Sequence, residues 1–363
     1  MVAVNQWHFA VVVGINKYPA IRDLKFAKGD AEEFAKWLQD PMGGALLEDN
    51  IITVVADVPD GTSREKAIPT RKEVVCALRK FRDKVNDHIK ENPSDWERTR
   101  LYFYVSGHGI APDPRDAALL MADSGPEDYG ENVACSLLLD FLLKNQPFHE
   151  LVIFADCCRE RVTGAPLGGF PWTLTERNNG QVLKIVGCAT YFGDLAYEPS
   201  EEEAKKPDEL RGYFTKALLE GLRGNASRNN EGFVDSNTLG QYVVRRIGEL
   251  TKHRANKQVP TMDADPGNPI IFGKAQGSGT QGTVKYQIRL KFGKKYDGIV
   301  ELRGGDNAII AKHNTAEGDW VVELSNGLYR VTPENKAGAM DFRDKGFFEV
   351  LGDKIDVKLC REI

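Results

Sequence analysis

No stretch of the 363-residue sequence approaches the ~18 consecutive apolar residues of a membrane-spanning helix. Residues 1–5 lead into an apolar run without the basic segment that opens a secretory leader. A cytoplasmic protein with no membrane partner is the expectation. Cysteine is sparse: six residues, at Cys76, Cys135, Cys157, Cys158, Cys188 and Cys360, none in CxxC spacing. Cys157 and Cys158 are adjacent, a poor geometry for a mutual disulfide, so the set reads as reduced thiols. Basic blocks and aromatic-interleaved basic stripes are missing too, and the net charge is −5, so nucleic acid is not expected as a partner. His8, His88, His149, His253 and His313 are scattered without metal-ligand spacing. Residues 267–274 have five residues between their glycines and end Gly-Lys-Ala, so they lack the gap and the hydroxyl of a phosphate loop. No cofactor is required by these patterns. The carboxylates of residues 113–128 are compatible with calcium but do not support it, because regular ligand alternation and a closing bidentate glutamate are absent.

What is present is ordinary globular chemistry, 41% apolar and 28% charged residues, in a chain long enough for two domains. Residues 8–14 (HFAVVVG), 50–56 (NIITVVA), 101–105 (LYFYV), 151–155 (LVIFA) and 182–188 (VLKIVGC) are short apolar runs bounded by turn residues. Such runs suit parallel strands covered on both faces. Helical spacing lies between them. Asp30 and Glu33 have the form of a capping box ahead of Phe34, Trp37 and Leu38, and Thr70 caps a longer helix with Val74, Val75, Leu78 and Phe81 on one face. Further helices are expected over 136–143, 213–222 and 235–250, and a last short strand over 269–272. Residues 113–130 read as a polar loop, 159–181 as a long loop, functional or mobile, and 199–210 as a solvated insertion. The alternation predicts an α/β domain with a mostly parallel sheet and helices on both faces.

Residues 275–282 (AQGSGTQG) are a flexible linker by composition. Beyond them, short alternating runs separated by Gly, Asn and Asp turns predict a small all-β sandwich. The organisation expected is therefore domain 1–274, linker 275–282 and sandwich 283–363, the last with a binding, docking or spacer role.

Two strands end in reactive residue types. Residues 101–105 run into Ser106-Gly107-His108-Gly109, and residues 151–155 into Asp156-Cys157-Cys158. In open α/β sheets the functional crevice lies at the carboxyl ends of the strands, so a histidine and a thiol meet there if the two strands are neighbours. A thiolate with an imidazole base is the chemistry of a cysteine hydrolase. Consecutive residues leaving a strand point to opposite sides, so only one of Cys157 and Cys158 can face His108 and the other is a small buried hydrophobe.

The order of VVVGINKY, LKFAKGDA, YVSGHG, IFADCCRE, GYFTKALLEGLRG and QVPTM resembles that of the caspase-like cysteine peptidases, most closely the bacterial metacaspase (orthocaspase) type. The resemblance covers residues 9–273. It implies a caspase-like fold, Cys158 as nucleophile, His108 as base, and the backbone N–H groups of Gly109 and Cys158 as an oxyanion hole. It also implies that Asp30, Ser106 and Asp156 line a pocket for a basic residue, so that cleavage follows Arg or Lys. Two carboxylates suit a guanidinium, which can bond both. Asp30 as an N-cap and Asp156 as a strand-end hydrogen-bond acceptor are the competing readings. Asp194 and Glu198 are further candidates for negative charge. The chain departs from the family after the nucleophile, where Arg159-Glu160-Arg161 stands in place of the His-Ser-Gly of metacaspases or the Arg-Gly of caspases.

The expected activity is thus endopeptidase cleavage of a protein or peptide substrate, with Arg161 and Arg177 as candidate self-cleavage sites. An activating protein partner is compatible with a place in a bacterial defence or stress pathway, where relatives of this kind occur. The alternative is a catalytically silent caspase-like scaffold that acts through partner binding by the sandwich.

Overall fold

The computed structural model describes residues 5–56, 59–126, 128–172, 180–197, 211–226, 233–254, 257–274, 286–292, 298–303, 309–324, 327–334, 347–350 and 356–358. The expected linker 275–282 and insertion 199–210 lie outside the described residues. The chain divides into two compact units, one from Met1–Ser227 with Phe233–Ala275, the other in the main from Gln276–Ile363.

In the first unit the elements run β1 (His8–Ile15), α1 (Ala27–Gln39), β2 (Ile51–Ala56), α2 (Arg71–Glu91), β3 (Arg100–Gly107), β4 (Gly109–Ala111), β5 (Ala118–Leu120) and β6 (Asn132–Ala134). They continue with α3 (Cys135–Asn145), β7 (Glu150–Cys157), β8 (Glu160–Arg161), β9 (Leu183–Cys188), α4 (Tyr213–Glu220), β10 (Phe233–Asp235), α5 (Ser236–Leu250), β11 (Thr261–Ala264) and β12 (Ile271–Lys274). The central sheet has the order β11-β9-β7-β3-β1-β2, with every pairing parallel except that of β11 with β9.

Two cores explain why its inner strands are apolar throughout. Phe9, Val11 and Val13 of β1, Phe103 and Val105 of β3, and Ile153 and Ala155 of β7 pack with α2 and α3. The residues between them, Ala10, Val12, Tyr102, Tyr104, Val152 and Phe154, pack with α1, α4 and α5. The period-two alternation of strand side chains thus buries both faces. The expected α/β architecture, mainly parallel with helices on both faces, is the one observed. Among the described residues no helix is long and apolar enough to cross a membrane.

Three local expectations are corrected. α1 starts at Ala27, so Asp30 lies inside its first turn rather than at its N-cap. The cap comes from the loop after β1, where the Asn16 Oδ1 accepts the Lys28 N–H at 2.9 Å, a tertiary partner that a local capping rule does not register. By contrast Thr70 and Glu73 form the expected capping box of α2. Residues 113–130 are not simply a polar loop: the buried run 117–122 carries β5, within a small sheet of order β6-β5-β4-β8. β11, an edge strand, was not expected from the short TMDA run; its alternate residues Met262 and Ala264 pack against the core while Thr261 and Asp263 lie between them.

The second unit contains β13 (Tyr286–Lys291), β14 (Ile299–Arg303), β15 (Ile309–Asn314), β16 (Trp320–Leu324), β17 (Gly327–Pro333), β18 (Phe347–Val350) and β19 (Asp356–Lys358). They form sheets of order β16-β13-β19 and β15-β14-β17-β18. Ile288, Leu290 and Leu324 of the first sheet share one core with Val300, Leu302, Tyr329, Val331 and Val350 of the second. Two sheets closing on one core make a sandwich.

Candidate active site

β3 and β7 are neighbours, paired in parallel with Ser106 opposite Asp156 and Gly107 opposite Cys157. His108 and Cys158 are therefore the next residue out on each of two strands that lie about 4.8 Å apart. Gly109 closes against the same point: a Cβ there would fall 2.6 Å from both the Cys157 Sγ and the Cys158 carbonyl oxygen. Only glycine lets this backbone approach so closely.

The His108 ring is held from outside the two strands. Its Nε2 lies 2.6 Å from the Arg22 carbonyl oxygen. A carbonyl only accepts, so Nε2 carries the proton and, in the neutral ring, Nδ1 keeps the lone pair. The Tyr18 ring meets the imidazole edge-on at 4.9 Å between centroids, and the Tyr18 hydroxyl accepts the His108 backbone N–H at 3.0 Å. Burial pushes the Tyr18 phenol far up, so it stays protonated and donates to the Leu120 carbonyl at 3.3 Å. The loop bearing Arg22 is pinned by Asp23, which accepts from the Lys17 ammonium at 2.7 Å and from the Tyr18 N–H at 3.0 Å. The Lys17 hydrogen bond, followed by that of Tyr18, holds the Asp23 carboxyl below its ordinary range. Arg22 was missed by sequence reasoning because a backbone carbonyl leaves no mark on residue identity.

Strand alternation separates the two cysteines. Cys157 is buried in the core under α2 and α3, and burial, then the nearby Cys135 and Cys188, pushes its thiol well up. Cys158 is half-buried, and its Sγ accepts the Ala196 N–H at 3.3 Å. The Sγ also lies 3.9 Å from the Ala196 carbonyl, to which the thiol donates.

Asp30, Ser106 and Asp156 come from α1, β3 and β7 and are all buried. Asp30 Oδ2 accepts the Gly212 N–H at 2.9 Å, while Asp156 Oδ2 accepts from the Thr215 N–H at 3.1 Å and the Thr215 hydroxyl at 2.5 Å. Both carboxylates thus converge on the start of α4. The Tyr104 hydroxyl also bonds Thr215 Oγ1, and burial, then Asp156 and Asp30, raises the Tyr104 phenol well above its ordinary value. Neither Gly212 nor Thr215 was given a role from the sequence, where GYFT reads as the start of a helix and of one stretch of the resemblance.

Arg159, which follows Cys158, is 4% exposed. Its guanidinium donates from Nε to the Asp116 carbonyl at 2.8 Å, from one terminal nitrogen to the Thr190 carbonyl at 3.3 Å and from the other to the Pro114 carbonyl. Its backbone N–H bonds the Asp194 carbonyl at 3.1 Å, so Asp194 contributes backbone here and its side chain is exposed. Arg161 is paired in β8 beside β4, three residues from Cys158, a separation too short for that bond to lie extended across the same thiol. Arg177 and Glu198 lie outside the described residues. The acidic run near residue 113 does not converge. Asp116 accepts from the Ser136 hydroxyl and the Asp113 N–H, and Asp128 pairs with Arg64. Among the described residues no cluster of three or more His, Cys, Asp or Glu is arranged to hold a metal ion.

No protein-family model matches the chain. A probable protease from a Desulfuromonadales bacterium is 28% identical over 280 residues, covering 71% of this chain and 32% of the relative. The chain therefore spans about a third of that relative's length. Among solved structures, caspase-1 from Spodoptera frugiperda superposes with a TM-score of 0.45 at 14% identity, over 76% of this chain and 93% of the other. A structure titled pro-sf-caspase-1 gives 0.42 at 11% identity, over 72% and 93%.

Proposed function

We propose that the chain is a caspase-like cysteine endopeptidase of the metacaspase type, cleaving polypeptides after Arg or Lys. What supports the reading is that His108 and Cys158 each follow the last paired residue of two adjacent parallel strands, with His108 Nε2 donating to the Arg22 carbonyl. His108 Nδ1 takes the Cys158 proton, the thiolate attacks the scissile carbonyl, and the imidazolium protonates the leaving amine. Water, deprotonated by the same ring, then releases the acyl group. The Gly109 and Cys158 N–H groups receive the developing oxyanion. Asp30 and Asp156, with Ser106 between strand and pocket, select a cationic side chain before the scissile bond. The similarity to a probable protease from a Desulfuromonadales bacterium favours the same reading.

The test compares fluorogenic peptides ending in Arg, Lys or Asp, using the parent chain and Cys158→Ala. Release from Arg and Lys peptides, none from Asp, and loss of at least ~10³-fold in the variant are expected. Cleavage after Asp alone overturns the pocket, and activity surviving in Cys158→Ala overturns the nucleophile.

A further inference from the structure

The two carboxylates assigned to the pocket share an anchor that the proposed mechanism leaves unused. Thr215 gives Asp156 Oδ2 two hydrogen bonds, from its backbone N–H at 3.1 Å and from its hydroxyl at 2.5 Å. A carboxylate oxygen can only accept, so the hydroxyl proton points to Asp156. The bond between Thr215 Oγ1 and the Tyr104 hydroxyl must then run the other way, with Tyr104 donating. Tyr104 is fully buried, which keeps it protonated as that donor. The relay Tyr104 to Thr215 to Asp156 leaves the Asp156 carboxylate one orientation. Three residues earlier on the same turn, the Gly212 N–H fixes Asp30 Oδ2. A Cβ at Gly212 would lie 2.6 Å from Asp156 Oδ2 and 2.9 Å from Asp30 Oδ2, so the two acids crowd one point that only a glycine leaves open.

We infer that Thr215 is a positioning residue for substrate specificity: its hydroxyl sets the Asp156 carboxylate, beside Asp30, in the orientation that receives an arginine guanidinium in preference to a lysine ammonium. This rests on the reading of Asp30 and Asp156 as the pocket for a basic side chain. A planar guanidinium bonds carboxylates through a fixed fork, so it is sensitive to carboxylate orientation, whereas an ammonium is a point charge that tolerates rotation. A purely structural role in starting α4 would lower stability without changing the ratio of arginine to lysine cleavage.

The experiment uses the full chain. Thr215→Val keeps the shape and the backbone N–H but removes the hydroxyl; Thr215→Ser restores it. Tyr104→Phe removes only the upstream donor. Kinetics on Arg and Lys peptides are paired with calorimetric binding of agmatine to Cys158→Ala, alone and combined with each variant, which reads the pocket without chemistry. Thr215→Val is expected to raise KM for the Arg peptide and the Kd for agmatine about tenfold, as loss of a hydrogen bond to a charged group does. It should leave kcat within about twofold and lower the Arg-to-Lys ratio. Thr215→Ser should return all three to near the parent values, and Tyr104→Phe should give a smaller change in the same direction. Agmatine binding equal to the parent's in Thr215→Val overturns the inference, and so does a Thr215→Ser chain as weak as the valine chain. If Thr215→Val does not fold, Tyr104→Phe with an unchanged Arg-to-Lys ratio overturns it. A parent chain that neither cleaves Arg peptides nor binds agmatine overturns the pocket reading itself, and the inference with it.

Discussion

His8 opens β1 beside Tyr102, with ring centroids 6.3 Å apart. Burial, then the charge of Arg100, lowers its pKa to about 2. The folded chain thus keeps this ring neutral where the unfolded chain, titrating near 6.5, takes up a proton. Stability contributed by the neutral ring is complete above pH 6.5 and is lost as pH falls from there toward 2. Below 6.5 the loss is about 1.4 kcal/mol per pH unit. In urea unfolding between pH 7.5 and 5, the parent should therefore lose about 1.4 kcal/mol per pH unit below 6.5 relative to His8→Leu. Parallel curves would mean that His8 ionises in the folded chain. The same scale holds the clearest contrast between what residue identity conveys and what it does not. Cys157 and Cys158 are identical and adjacent, and alternation along β7 is what sends the first into the core and leaves the second beside Ala196.

At the scale of elements, Arg159 joins two loops that flank the candidate nucleophile, those around Pro114–Asp116 and Thr190–Asp194. One buried guanidinium satisfies three carbonyls there. Arg159→Met removes all three bonds and should cost about 3 kcal/mol. Amide exchange should speed up in residues 113–116 and 190–194 while α2, whose cap is local, stays protected. Unchanged exchange in both loops would show that neither depends on the guanidinium. This fastening also explains why Arg159 read only as the start of a long loop. Its partners are carbonyl oxygens on distant turns, and nothing in the local pattern names them. α1 shows the same limit: Asp30 and Glu33 have the spacing of a cap, yet Asn16 supplies it and Asp30 is used across the fold by Gly212. α2 was read correctly because Thr70 and Glu73 bond each other within one turn.

For the whole molecule, each unit closes its own core, one around the central sheet and one between the two sheets of the sandwich. Independent cores imply independent cooperative unfolding. Calorimetry of the full chain should resolve two transitions, and a chain ending at Ala275 should keep the one that belongs to the first unit at an unchanged temperature. Loss of all cooperative unfolding on truncation would show that the first unit depends on the second. The truncated chain also tests the sandwich as a docking or spacer module: cleavage of short peptides should persist, because every candidate site residue lies in the first unit.

The sequence by itself determined the five parallel strands of the central sheet, since a strand covered on both faces must be apolar along its length, and with them the two strand ends that carry His108 and Cys158. It also pointed to the β-rich second unit, where alternating apolar residues such as Ile288 and Leu290, or Val300 and Leu302, enter one core. Only the tertiary structure decided that β3 lies beside β7, that the Arg22 carbonyl sets the His108 tautomer, and that Asp30 and Asp156 meet at Gly212 and Thr215. Sheet order depends on which layers pack together, and backbone N–H and carbonyl groups are the same at almost every residue, so neither is written in a local run of side chains.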